Sequence, residues 1–216
     1  MHKNGITPEL WDTLYIIQND PLFKSFYLVG GTALSLQIGH RLSLDIDLFT
    51  NDDFDKPAII QFMMDTFGQH TKIKNNQGSI LQIVTENILN VDFVKYPYKL
   101  LDPIIETDGI RLIGKNDISA MKISAIGQRG YEAKDYIDIY YLLQEMPFAK
   151  MIENFKAKYE TDDIQHYKRS LIFFDDVSPN SWKSVKMINE PLSISKLKET
   201  LIKEVTEYTR TQVNYG

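Results

Sequence analysis

The chain has 216 residues, 43% hydrophobic and 25% charged, with a formal net charge of −5 and no cysteine. That length is ample for a buried core, long for one domain and short for two full ones. Without cysteine, disulfides and thiolate metal sites are excluded and a cytoplasmic location is expected; the negative balance argues against a protein that coats nucleic acid by general electrostatics, though a local basic groove stays open to it.

No apolar run approaches the roughly 20 residues of a bilayer span, and no apolar core follows Met1-His2-Lys3-Asn4-Gly5, so neither a membrane segment nor a secretory signal is expected. The first helix opens with Thr7 as cap, Pro8 in the first turn and Glu9 beside the positive helix end. Leu10, Trp11, Leu14, Ile16 and Ile17 give it an apolar side, and Asn19-Asp20-Pro21 ends it.

Residues 26 to 29 form an apolar run suited to one buried strand, followed at once by Gly30 and Gly31. Thr32 can cap a short helix whose apolar contacts are Ala33, Leu34, Leu36 and Ile38, and Gly39 stops it. In residues 42 to 49, Leu42, Leu44, Ile46 and Leu48 alternate with Ser43, Asp45 and Asp47, the period of a strand. Asp45 and Asp47 therefore leave one face about 7 Å apart, from a rise of about 3.3 Å per residue. Two neighbouring carboxylates repel each other and resist burial, so the pair calls for a cation. Hard oxygen ligands on a rigid strand suit Mg²⁺ or Mn²⁺, which bridge carboxylates to substrate phosphates. The glycines allow close backbone approach, and the amides opening the next helix can hold an anion. An isolated Asp-x-Asp is usually a solvated strand face; here a phosphate-binding turn and a metal-binding pair lie on adjacent elements.

Asp52, Asp53 and Asp55 read as caps and turn residues. Pro57 starts a helix to Phe67 that buries Ile59, Ile60, Phe62, Met63 and Phe67, ended by Gly68. Residues 71 to 74 alternate weakly, Asn75-Asn76-Gln77-Gly78 signals a turn, and residues 79 to 84 are a strand. In the strand of residues 88 to 94, Asp92 interrupts an apolar run. Two-metal phosphoryl transfer needs ligands for both ions and a base for the attacking hydroxyl, which makes Asp92 a candidate third carboxylate. A return strand follows at residues 110 to 113.

Asn116 or Asp117 caps a helix containing Ile118, Met121, Ile123, Ala125 and Ile126. Lys122 and Arg129 share a face if that helix continues past Gly127; Gly127 and Gly130 can break it instead. A second helix over residues 131 to 144 brings Asp135 and Asp138 together near its start. Further helices are expected at residues 148 to 159, at 164 to 174 after a Thr161-Asp162-Asp163 cap, and at 191 to 208, with a loop around Ser178-Pro179-Asn180. His70 and His166 lack metal-ligand spacing and read as ordinary residues, and the basic residues between 183 and 203 as a solvated helix face.

Gly30-Gly31-Thr32-Ala33-Leu34, His40-Arg41-x-Ser43 and Asp45-Ile46-Asp47-Leu48-Phe49 resemble the signature of the abortive-infection (AbiEii/AbiGii-like) nucleotidyltransferase toxins of the DNA polymerase β-like superfamily. Lys122-Ile123-x-Ala125-x-x-x-Arg129 with Lys134-Asp135-x-x-Asp138 resembles that family's second block. The resemblance covers roughly residues 26 to 143. It implies an α+β protein with a polymerase β-like nucleotidyltransferase fold and a small mixed sheet (residues 1–114), followed by a helical half (115–216) that completes the active-site cleft. It implies transfer of a nucleoside monophosphate from an NTP to a hydroxyl of RNA, such as a tRNA end, or of protein. Asp45, Asp47 and Asp92 would bind Mg²⁺ or Mn²⁺. Gly30, Gly31 and Thr32 would hold the β/γ phosphates, with Lys122 as a phosphate contact and Arg129 and Lys134 as further phosphate or structural cations. Arg41 and Ser43 would support the phosphates or brace the turn, and Asp138 would act as base or orienting carboxylate. An antitoxin protein is the implied partner. The alternative is a non-catalytic nucleotide- or partner-binding module on the same fold.

Overall fold

The computed structural model describes residues 1–213, which form two compact units: residues 1–99 with 103–113, and residues 100–102 with the chain from Gly114 onward.

In the first unit, α1 (Pro8–Asn19) starts where Thr7 accepts a hydrogen bond from the Leu10 amide (3.2 Å), with Pro8 supplying a preset φ. Its buried stripe is Leu10, Thr13, Leu14, Ile17 and Gln18. Ile16 is instead exposed, and Trp11 lies at the stripe's edge under the Lys3 ammonium (4.1 Å), because the i, i+4, i+7 line through Leu10 excludes both. Then follow β1 (Tyr27–Leu28), α2 (Gly30–Ile38), β2 (Asp45–Thr50), α3 (Lys56–Phe67), β3 (Lys72–Gln77), β4 (Ile80–Val84), β5 (Asn90–Lys95), β6 (Ile105–Thr107) and β7 (Ile110–Leu112). They build a mixed sheet of order β3-β4-β5-β2-β1-β7-β6, in which β2 runs parallel to β5 and β1 parallel to β7. One face carries Ile46, Leu48, Leu81, Ile83, Val91 and Phe93, each at most 1% exposed. Phe23 and Phe26 join Phe93 at ring distances of 5.5 Å and close that core.

Several sequence expectations shift. Thr32 does not cap α2: the helix starts at Gly30 with Val29 as its cap residue, and the Thr32 hydroxyl turns inward to β2. The strand expected from Leu42 begins at Asp45, which leaves Leu44 exposed. Asn75-Asn76-Gln77 belongs to β3 and not to a turn, because pairing with β4 outweighs the residues' turn preference; the turn falls at Gly78-Ser79. In α3 only Ile59 and Met63 are fully buried.

In the second unit, α4 (Lys115–Arg129) packs against α5 (Ala133–Leu142), α6 (Phe148–Tyr159) and α7 (Gln165–Leu171); α8 (Pro179–Ser184) and α9 (Ile194–Val213) complete it. Gly114 is the cap of α4, so Asn116 and Asp117 lie inside the first turn and not at its cap. The fully buried Asp117 carboxylate accepts the Leu101 and Asp102 amides (3.1 Å) and the Lys158 ammonium (2.7 Å). The helix does continue through Gly127 and ends at Gly130 in the left-handed region. A Cβ at Gly127 would lie 2.2 Å from the Tyr167 ring, so glycine there is what lets α7 close on α4. α7 starts at Gln165 behind Ile164, later than the acidic cap suggested, and Ser178-Pro179 opens α8 where a loop was expected, Ser178 accepting the Ser181 amide (3.1 Å).

Candidate active site

The site builds outward from β2. Alternation sends Ile46 and Leu48 into the core and leaves Asp45 and Asp47 half-buried on the opposite face. The parallel neighbour β5 sets Asn90 beside Asp45 and Asp92 directly beside Asp47. All three carboxylates predicted from sequence thus occupy adjacent positions on one face of two hydrogen-bonded strands.

On one flank stands the opening of α2. The Val29 amide donates to the Asp47 carbonyl (2.9 Å), tying the turn to β2. Gly30 has φ +68°, and a Cβ there would meet Asp47 Oδ2 at 2.6 Å. The backbone angle favours glycine, and a side chain there would also displace the carboxylate lying against it. A Cβ on Gly31 would meet the Arg41 guanidinium at 2.1 Å. Arg41 is 3% exposed and donates from Nη1 to the Leu42 carbonyl (3.2 Å), and its own carbonyl accepts from Ser35 Oγ (2.9 Å). The Thr32 hydroxyl bonds Ser43 Oγ (2.9 Å) and the Asp45 carbonyl. Arg41, Ser43 and Thr32 are buried, and the Thr32 bonds join α2 to Ser43 and to the start of β2.

On the other flank stand two amides that the sequence reading passed over. Gln82 Nε2 donates to Asp92 Oδ2 (2.6 Å), and Asn90 Nδ2 donates to Asp45 Oδ1 (3.1 Å). Lys74 Nζ donates in turn to Asn90 Oδ1 (2.7 Å). Period two could have shown Asn90, two residues before Asp92, and Gln82, the one polar residue in Ile80-Leu81-Gln82-Ile83-Val84. Lys74 carried no such signal, because its place depends on a register shift in β3.

Among the described residues no three acidic or histidine side chains are gathered as a ready-made metal cluster. Asp47 Oδ2 lies toward Gly30 and Asp92 Oδ2 toward Gln82, on opposite flanks. The three carboxylates are an all-oxygen donor set on adjacent strand positions, the ligand chemistry a hard divalent cation takes.

The second predicted block forms its own cluster inside the second unit. Lys122 is 6% exposed, and its ammonium lies 2.7 Å from Asp135 Oδ1 and 2.6 Å from Asp138 Oδ2. Arg129 Nη2 reaches Asp135 Oδ2 (3.1 Å), so the two cations do share a helix face. Burial pushes the Asp135 carboxyl up, but the Lys122 ammonium and Arg129 guanidinium outweigh it, and the group ends below the ordinary carboxylate range. Burial, then Asp176 and Asp135, push the Tyr136 phenol up to about 12. Lys134 is half-buried on α5.

The family described as nucleotidyl transferase AbiEii toxin, type IV toxin–antitoxin system, matches residues 12–207. The chain belongs to this AbiEii nucleotidyltransferase toxin family. An uncharacterized protein of Aquifex aeolicus is 31% identical over 191 residues, which cover 86% of this chain and 88% of that one. The crystal structure of JHP933 from Helicobacter pylori superposes with a TM-score of 0.59 at 15% identity, over 97% of this chain and 98% of that one. The fold is accordingly the α+β nucleotidyltransferase fold of the AbiEii family, and the family's activity makes the chain an NTP-using transferase. Among the described residues, no helix is long and apolar enough to cross a membrane.

Proposed function

We propose that this AbiEii-family protein transfers a nucleoside monophosphate from an NTP to a hydroxyl, with RNA as the acceptor class and a protein hydroxyl as the alternative. The observation that carries the reading is the register of β2 on β5: Asp47 directly beside Asp92, Asp45 one step along the same face, and the glycine turn of α2 against Asp47.

The new bond joins the acceptor oxygen to the α-phosphorus. The bond from the α-phosphorus to the bridging oxygen breaks, and pyrophosphate leaves. Asp92 takes the proton of the attacking hydroxyl, and Gln82 holds the carboxylate in place for it. The amides opening α2 at Gly30, Gly31 and Thr32 hold the β and γ phosphates at the positive end of the helix. Arg41 and Ser43 keep that turn rigid. Asp45, Asp47 and Asp92 would hold Mg²⁺ or Mn²⁺, which when bound neutralises charge on the phosphates and lowers the pKa of an attached hydroxyl. In the second unit Lys122 is the proposed phosphate contact, its ammonium oriented by Asp135 and Asp138, with Arg129 and Lys134 as supporting cations. Catalysis then rests mainly on positioning and on charge placed in advance. We further propose a cytoplasmic toxin held in check by an antitoxin protein, a reading supported by the family's description.

The test is incubation with each of the four α-labelled NTPs, Mg²⁺ or Mn²⁺ and bacterial RNA, next to Asp45→Ala/Asp47→Ala. Label retained on RNA or protein by the wild type and lost in the variant supports transfer and names the base. Label released only as free nucleotide means hydrolysis. NTP binding without any transfer means a binding module.

A further inference from the structure

We infer that the face of β3 bearing Lys72, Lys74 and Asn75 is the docking surface for the backbone of a nucleic-acid acceptor strand, with Lys74 as the residue that meets a phosphate. The inference deepens the nucleotidyl-transfer reading by assigning the acceptor its place.

The argument begins with the pairing of β3. Lys72 stands opposite Val84, Ile73 opposite Ile83, and then Asn75 opposite Gln82, so Lys74 is an extra residue. Such a bulge bends an edge strand and re-aims its side chains. Regular alternation from Lys72 would send Asn75 to the core side with Ile73. The extra residue returns Asn75 to the same face as Lys72 while Lys74 also reaches that face, as its bond to Asn90 Oδ1 (2.7 Å) shows. Two unbroken rows result. One runs Asp47, Asp92, Gln82, Asn75 across β2, β5, β4 and β3; the other runs Asp45, Asn90, Val84, Lys72. With strands about 4.8 Å apart, Asn75 stands roughly 10 Å from Asp92.

Charge then selects the ligand. The chain carries a net −5, yet β3 reads Lys-Ile-Lys-Asn-Asn-Gln, two cations and three amides with no acid. Lys74 is exposed, and its contact on this face is a neutral amide. Lys122 and Lys158, in contrast, sit on buried carboxylates. A phosphate makes a charge-assisted bond and displaces an amide contact readily. An ammonium on a flexible stem reads phosphate as a point charge without selecting sequence, and amides beside it suit sugar and phosphate oxygens.

Position selects which substrate. The glycine turn of α2 is tied to Asp47 on the β1 side of β2, while β3 lies beyond β5 and β4 on the other side. The carboxylates stand between the two. If the turn holds the NTP tail, the strand side is left for the acceptor. Lys56, donating to the Gly78 and Ile80 carbonyls (2.8 Å each), pins the β3–β4 turn so that the surface is held in place.

The experiment uses the full chain with Lys74→Ala and Lys74→Arg. Binding of a fluorescent single-stranded RNA with a free 3′ hydroxyl is followed by anisotropy between about 50 and 200 mM salt, and binding of an NTP with Mn²⁺ is followed separately. Expected for Lys74→Ala is RNA binding roughly fivefold weaker at the low-salt end, with the slope of log K against log salt reduced by about 0.7. Lys74→Arg should keep both. The melting temperature should hold in each variant, since Lys74 is exposed, and NTP–Mn²⁺ affinity should fall less than RNA affinity in Lys74→Ala, since Asn90 still donates to Asp45. RNA binding and slope unchanged in Lys74→Ala, no RNA binding by the wild type, or an equal fall in NTP–Mn²⁺ affinity would each overturn the assignment. If RNA binding falls as expected but no NTP is ever transferred, the transfer reading fails and the surface stands. If label reaches RNA and Lys74→Ala binds it normally, the reverse holds.

Discussion

The two units use the same side chains in opposite ways. In the first, Asp45, Asp47 and Asp92 are half-buried on a sheet face, and the groups seen to hold two of them are the neutral amides of Asn90 and Gln82. In the second, Asp117, Asp135 and Asp138 are buried to within 1% and sit on lysine ammonium groups. A half-buried carboxylate oriented on an open sheet face stays within reach of a ligand. A carboxylate buried on a lysine is neutralised by the fold itself, and removing either partner alone strands a buried charge. The first arrangement suits a working site, the second a frame with a fixed cation in it.

The largest effect expected from breaking this contrast is on activity. Asp47→Asn should lower nucleotidyl transfer by about 10³-fold, the scale of losing a principal transition-state electrostatic contact. Stability should change far less than activity, because Asp47 is half-buried on a sheet face and asparagine keeps its shape. A melt and a label-transfer assay on the same preparation check both halves.

The mirror experiment is Lys122→Met. It leaves Asp135 and Asp138 as buried charges without their shared ammonium, which typically costs about 3–5 kcal/mol. For a chain of this size that is a fall of roughly 6–20 °C in the melting temperature. A denaturant or thermal melt decides it, and an unchanged midpoint would mean that the cluster is not part of the frame. Replacing Lys122 and Asp138 together by apolar residues should lose less than Lys122→Met alone, since the stranded charge is removed as well.

These contrasts explain how much was legible in advance. Asp45, Asp47 and Asp92 could be placed on one face because alternation is a local property of the chain, and Gly30 could be marked because only a turn or a close approach needs two glycines after an apolar run. Both turned out to apply to Gly30. The family, the fold and its ordering of sheet before helices followed from those residues. What local pattern could not carry was long-range: that Asp117 would be swallowed by Lys158 on another helix, that Asn75-Asn76-Gln77 would be recruited into a strand, or that Lys74 would be the extra residue of a bulge. Each of these depends on a partner distant in sequence, and the partner outweighed a local preference.

A smaller and sharper probe of the first unit is Gly30→Ala. At φ +68° a Cβ costs about 1–2 kcal/mol, and it would also press on Asp47 Oδ2 at 2.6 Å. A modest loss of stability should therefore accompany a loss of transfer activity larger than the stability change explains. Gly127→Ala is the control from the second unit. There the added Cβ meets the Tyr167 ring at 2.2 Å, so stability should suffer as α7 is pushed from α4, while Asp47 is untouched.

The smallest effect at neutral pH is the acid response of the second unit, and its sign follows from Asp135. Burial alone would raise this carboxyl, but Lys122 and Arg129 bring its folded-state pKa below the ordinary value of 3.8. A group depressed on folding contributes stability at every pH above its unfolded value. That contribution falls as pH drops below about 3.8 and is lost once the pH has passed the folded value, because the unfolded chain binds the proton first. Wild-type stability should thus be flat from neutral pH down to mild acid and decline below it. Asp135→Asn should be less stable at neutral pH, since Lys122 keeps only Asp138 and Arg129 loses its carboxylate contact to Asp135, yet decline less steeply in acid, so that the two curves converge at low pH. Melting temperatures of both proteins across the acid range provide the comparison. Parallel curves would show that Lys122 and Arg129 do not hold Asp135 as the 2.7 Å and 3.1 Å contacts require, and the contrast between a framed and a working carboxylate would then lose its second member.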